Sequence, residues 1–159
     1  MKGYNDYSKV YKNIHKDAIE ISKEYAPKLW KEPLTHRKMY ALKWLREMSA
    51  VYKITCPKFV FDPDENGRKR RLTGGGTYDN NKNTIFLYGK YSFATLAYEF
   101  RHAIQNQKKV KMYLEDKDED ARAWSLSLFR LACPKSYKNA AEKGFLIGYN
   151  EIRKNYLQD

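Results

Sequence analysis

SFATLAYEFRHAIQNQ, Ser92 to Gln107, is the stretch in which a helical apolar stripe and a chemically suggestive polar stripe run side by side. Phe93, Leu96, Ala97, Phe100, Ala103 and Ile104 recur at helical spacing and predict one buried arc, with Ser92 placed as N-cap. Thr95, Glu99, His102 and Asn106 fall together on a different arc, and Tyr98 sits one turn before His102 at its edge. Ionisable side chains on a helix that packs into a core are costly unless a partner or a metal compensates. The spacing therefore predicts that something stands opposite them.

Immediately upstream, Thr77-Tyr78-Asp79 and Thr84-Ile85-Phe86-Leu87-Tyr88 flank the turn-rich Asn80-Asn81-Lys82-Asn83 and predict a β-hairpin. Gly74-Gly75-Gly76 before it lacks the spacing of a phosphate-binding loop and suits a bulge or a close approach of another backbone. Lys58-Phe59-Val60-Phe61 predicts a further strand. The turn Asp62-Pro63-Asp64-Glu65-Asn66-Gly67 is acidic but has no EF-hand pattern, so it reads as a solvated turn. Arg68-Lys69-Arg70-Arg71 is the sharpest basic cluster. It reads equally as a phosphate-pairing segment or as a charged edge that discourages strand pairing.

Helices are expected at both ends. Apolar residues from Asn5 to Ala26 keep a helical period that Pro27 ends, and a lone His15 there reads as a solvated side chain. A second helix is expected from about Thr35, with Met39 or Tyr40, Ala41, Trp44, Leu45 and Met48 facing inward. After the central helix the chain turns acidic and enters a helix with Ala121, Trp124, Leu128, Leu131 and Ala132 inward, until Pro134. A closing helix from Ser136 to Tyr156 is expected to be interrupted or bent around Gly144 and Gly148.

The chain has 159 residues, which suits a single domain over 1–159 with a sizeable core. Its formal charge of +12 favours acidic partners, either an acidic protein surface or nucleic acid. Cys56 and Cys133 are far apart and read as two small buried thiols. Neither a signal-peptide run nor a membrane-spanning window is apparent, so a cytoplasmic protein without membrane contact is expected.

The segment Tyr98-Glu99-Phe100-Arg101-His102 resembles the H-E-x-x-H helix of the zincin-like metallopeptidases, with Tyr98 in place of the first His. The order Gly-rich strand, turn, apolar strand and motif helix extends the resemblance over roughly Lys58 to Ala132. It implies an α+β, zincin-like fold with two N-terminal helices, a small mainly antiparallel sheet, the motif helix and two C-terminal helices. In such enzymes the strand before the motif helix is usually an exposed edge that pairs with an extended peptide. In the gluzincin branch the third zinc ligand is an acid on a following helix, shortly before a small residue that packs on the motif helix. Asp118-Glu119-Asp120-Ala121-Arg122 looks like that element, with Asp118 and Glu119 both open as the ligand.

The resemblance thus assigns Glu99 as general base and His102, Tyr98 and Asp118 or Glu119 as zinc ligands. A phenol ordinarily loses its proton near pH ~10, so Tyr98 is a poor substitute for imidazole. We therefore expect zinc to be absent or weakly held, Glu99 and His102 to form a buried hydrogen-bonded pair, and the chain to be a binding or regulatory module. Arg68, Lys69, Arg70 and Arg71 would meet the acidic partner. The alternative is a zinc-dependent peptidase or hydrolase with an atypical ligand set.

Overall fold

The stripe identified in the central stretch is buried as its spacing requires: Leu96, Ala97, Phe100 and Ala103 are inaccessible to solvent, and Phe93 and Ile104 nearly so. In the computed structural model, which describes residues 14–63 and 75–146, this stretch is the helix α4, Phe93–Gln107. The Ser92 hydroxyl caps it by accepting the Thr95 N–H at 3.2 Å. Before it come helices α1 (Lys16–Tyr25), α2 (Lys28–Lys31) and α3 (Leu34–Tyr52), then strands β1 (Lys58–Asp62), β2 (Gly76–Asp79) and β3 (Thr84–Tyr88). After it come α5 (Leu114–Ala132) and α6 (Pro134–Glu142). The class is α+β.

Three expectations are corrected at the N-terminal end and in the cysteines. The helical period expected through Asn5 to Ala26 breaks at Ile14 and His15. His15 is extended there and caps α1 instead, its Nδ1 accepting the Asp17 N–H at 3.0 Å. Pro27 then admits a single helical turn, α2, so among the described residues two expected helices become three. Cys133 is buried, which pushes its thiol up to about 11, whereas Cys56 is exposed.

The sheet is mixed rather than mainly antiparallel. Its order is β1-β3-β2, with β2 antiparallel to β3 across the expected hairpin and β1 parallel to β3 in the register Lys58↔Thr84. The physical reason is that the hairpin fills one side of β3 and leaves the other open. β1 takes that side running the same way. The strand before α4 is consequently central, not an edge, and Ile85 and Leu87 are wholly buried. The edge beside α4 is β2, and the helix approaches it closely at Gly76. A Cβ there would lie 2.8 Å from both the Phe86 carbonyl oxygen and Thr95 Cγ2, so only glycine fits.

The core lies where α4 meets α3 and α5. Trp44 makes edge contacts with Phe93 and Phe100 at 5.4 and 5.2 Å between ring centres, and its indole N–H donates to Ser22 Oγ at 3.0 Å. Tyr52 adds edge contacts to Phe100 and Trp124. The closing helix stops at Glu142, ahead of Gly144 with φ 71°, in line with an interruption there, while the stretch expected from Gly148 to Tyr156 lies outside the described residues. Among the described residues no helix is long and apolar enough to cross a membrane.

Candidate functional site

Helices α4 and α5 pack along their lengths, and α5 supplies what stands opposite the polar arc. The Tyr98 hydroxyl donates to Asp118 Oδ1 at 3.0 Å, and His102 Nε2 lies 3.4 Å from the same oxygen. Tyr98 and His102, one turn apart, also meet edge to face at 4.7 Å. Of the two acids left open by the sequence, Asp118 is thus the one brought to both motif side chains. Glu119 sits one position further along α5, half-buried. Ala121, next along α5 after Asp120, is wholly buried.

A second layer, absent from the sequence reading, fixes this one. Gln105 is buried, and its amide N–H groups donate to the Lys117 carbonyl at 3.0 Å and to Asp120 Oδ2 at 2.8 Å. Its Oε1 must therefore face His102 Nδ1, 2.8 Å away, and accept a proton from it. In the neutral ring the lone pair is then on Nε2, directed at Asp118. Asp120 also receives a forked pair from Arg101, Nε at 2.8 Å and an Nη at 3.2 Å, while the Arg101 guanidinium lies over the Trp124 ring at 5.4 Å. The available signal was spacing: Arg101 and Gln105 are one turn apart on α4, and Asp120 follows Asp118 by two.

Glu99 has a different setting from the one expected. It is 6% exposed and is not paired with His102. Burial first, and then the negative charge of Asp118, push its carboxyl from 4.5 up to about 8, and a backbone hydrogen bond from Tyr78 acts the other way. That bond follows from the strand register. Tyr88 N–H donates to Gly75 O at 2.8 Å, so alternate residues Gly76 and Tyr78 turn their amides away from β3, towards α4. Glu99 also lines a cleft of about 260 Å³ between the Gly75-Gly76 edge and α5, together with Thr95, Arg122 and Phe145.

The phenol of Tyr98 is held well above its ordinary range by burial, by the charge and hydrogen bond of Asp118 and by Glu99, with Arg122 opposing. It is a proton donor at neutral pH. The separation of His102 Nε2 from Asp118 Oδ1 is close to the about 3.3 Å between two ligands of a tetrahedral zinc ion. Those two groups fit zinc; the protonated phenol does not. Among the described residues no group of three or more His, Cys, Asp and Glu side chains is placed to share one ion. Compared with known proteins, the chain matches no family model, no curated protein and no solved structure. Arg68, Lys69, Arg70 and Arg71 lie outside the described residues.

The protonated Glu99 gives the protein a pH signature. Between pH 4.5 and about 8 the folded chain holds a proton that the unfolded chain has lost. The stability this contributes is complete at the acid end of that window and falls as pH rises through it. Glu99→Gln keeps a neutral side chain throughout. It is expected to melt with the parent near about pH 5 and above the parent near about pH 9. A difference between the two proteins that is the same at both pH values would show that Glu99 is not held neutral.

Proposed function

We propose that this chain is a zincin-like scaffold of gluzincin type in which a hydrogen-bonded cluster stands where the ion would be, and that it works as a binding or regulatory module for an acidic partner. The observation that carries the reading is the Tyr98 phenol: raised in pKa, it keeps its proton and donates it in a hydrogen bond to Asp118, so two of the groups that would hold a metal satisfy one another. The charge of +12 supports the acidic partner. The test is metal analysis and a general peptidase assay on protein purified without chelator. The expected result is zinc far below one per chain, unchanged by His102→Ala, and no hydrolysis. Near-stoichiometric metal that disappears in His102→Ala would overturn it.

One observation favours a second reading, a zinc-dependent hydrolase with Glu99 as general base. The Gln105 amide holds the His102 proton on Nδ1 and leaves the Nε2 lone pair facing Asp118, which is how supporting hydrogen bonds orient a ligating imidazole. Hydrolysis abolished by Glu99→Gln, in the same assay, would establish this reading over the first.

A further inference from the structure

At the C-terminal end of α4 one amide gathers basic residues that are scattered in sequence. Gln107 Oε1 accepts the Thr55 N–H, and its Nε2 donates to the Thr55 carbonyl, each at 2.8 Å. The same Nε2 donates to Asn83 Oδ1 at 3.3 Å, and the Asn83 carbonyl accepts the Lys58 N–H at 2.9 Å. The end of α3, the start of β1, the hairpin turn and the end of α4 are pinned at one spot. Lys53, Lys58, Lys82, Lys108 and Lys109 therefore surround it, all exposed. Among the described residues no carboxylate lies within ion-pair distance of any of the five.

Favourable placement beside a helix C-terminus accounts for Lys108 and Lys109. It accounts equally for Lys53, the C-cap of α3, but not for Lys58 and Lys82, which arrive on β1 and in the hairpin turn. We propose that this face is a docking surface for the phosphate backbone of a nucleic acid. The proposal rests on the acidic-partner reading above and names that partner's class. Protein partners usually bind around a buried aromatic or aliphatic centre from which lysine is depleted. Of the large apolar side chains that stay exposed among the described residues, one, Val60 on β1, lies on these stretches, and it is a single aliphatic with no exposed aromatic there to build a centre around. Exposed lysines, with the exposed amide of Asn81 among them, are instead the groups that hold phosphate oxygens.

The test is fluorescence anisotropy of labelled DNA about 20 nucleotides long, single-stranded and duplex, over about 50 to 200 mM salt. The full chain is compared with a variant carrying Lys53→Gln, Lys82→Gln, Lys108→Gln and Lys109→Gln. A control of equal charge carries Lys16→Gln, Lys38→Gln, Lys135→Gln and Lys138→Gln, all exposed and on other segments. The expected result is binding by the full chain and the control. The first variant should bind at least about tenfold more weakly, with a salt slope shallower by roughly 3 on duplex DNA. A stronger effect on one DNA form tells which geometry the surface fits. Equal losses in both variants would mean that only net charge matters, and would overturn the proposal. So would full binding by the first variant. No binding by the full chain to either DNA at the lowest salt would overturn the nucleic-acid surface and leave the acidic-protein form of the previous reading standing.

Discussion

Arg101→Ala is expected to destabilise the protein by about 3 kcal/mol, the lower end of what breaking a buried ion pair costs. The loss has three sources in the structure. Asp120 is left 4% exposed with its charge uncompensated, keeping only Gln105 as side-chain donor. The forked pair of hydrogen bonds disappears. The packing of the guanidinium on Trp124 goes with it. In a chain of this size the change corresponds to a fall of about 10 °C in melting temperature. Arg101→Lys restores charge but not the planar fork, and should recover only part of the loss. Urea melts of the three proteins read this directly. A loss below about 1 kcal/mol in Arg101→Ala would put the pair among weakly contributing surface bridges.

Tyr98→His is expected to tighten zinc binding by at least about a hundredfold, since loss of merely supporting groups already costs about 10–100-fold at such sites. The substitution replaces a phenol held in its protonated form with a ring that offers a lone pair at neutral pH. The oxygen that Tyr98 now engages on Asp118 is freed, and that oxygen is already 3.4 Å from His102 Nε2. Tyr98→Phe is the control: it also frees Asp118 but supplies no ligand. Titration against a competing chelator distinguishes them. If Tyr98→His binds zinc no better than Tyr98→Phe, positions 98, 102 and 118 do not form a ligand set.

Where the sequence could be read and where it could not follows from the range of the interactions. The buried stripe of α4, its Ser92 cap, the hairpin and the tight approach at Gly76 are local or short-range patterns, and each shows in spacing and residue type. The parallel pairing of β1 with β3 is not local. Hydrophobic alternation within Lys58–Asp62 says nothing about which side of the hairpin the strand joins. In the site, Tyr98, Glu99 and His102 were found by helical spacing, and the acidic segment by its place in the chain. Choosing Asp118 needed the rotation of α5 about its own axis, which the packing of Ala121 and Trp124 decides. Gln105 was overlooked because an amide carries no signature. Its role exists only once Lys117 O and Asp120 stand opposite it. The Glu99 and His102 pairing failed for a related reason: β2 presents the Tyr78 amide to Glu99, and Gln105 occupies the imidazole.

Helix α1 packs on α3, which follows it closely, and also on α5. During synthesis the nascent chain must therefore expose part of the α1 apolar stripe until the segment from Leu114 has left the ribosome, a delay on the order of ten seconds at usual elongation rates. Over that interval the surface around Ala18 is open to chaperones and to unwanted association, so truncations that stop short of Ala132 should accumulate as aggregates rather than as smaller folded units.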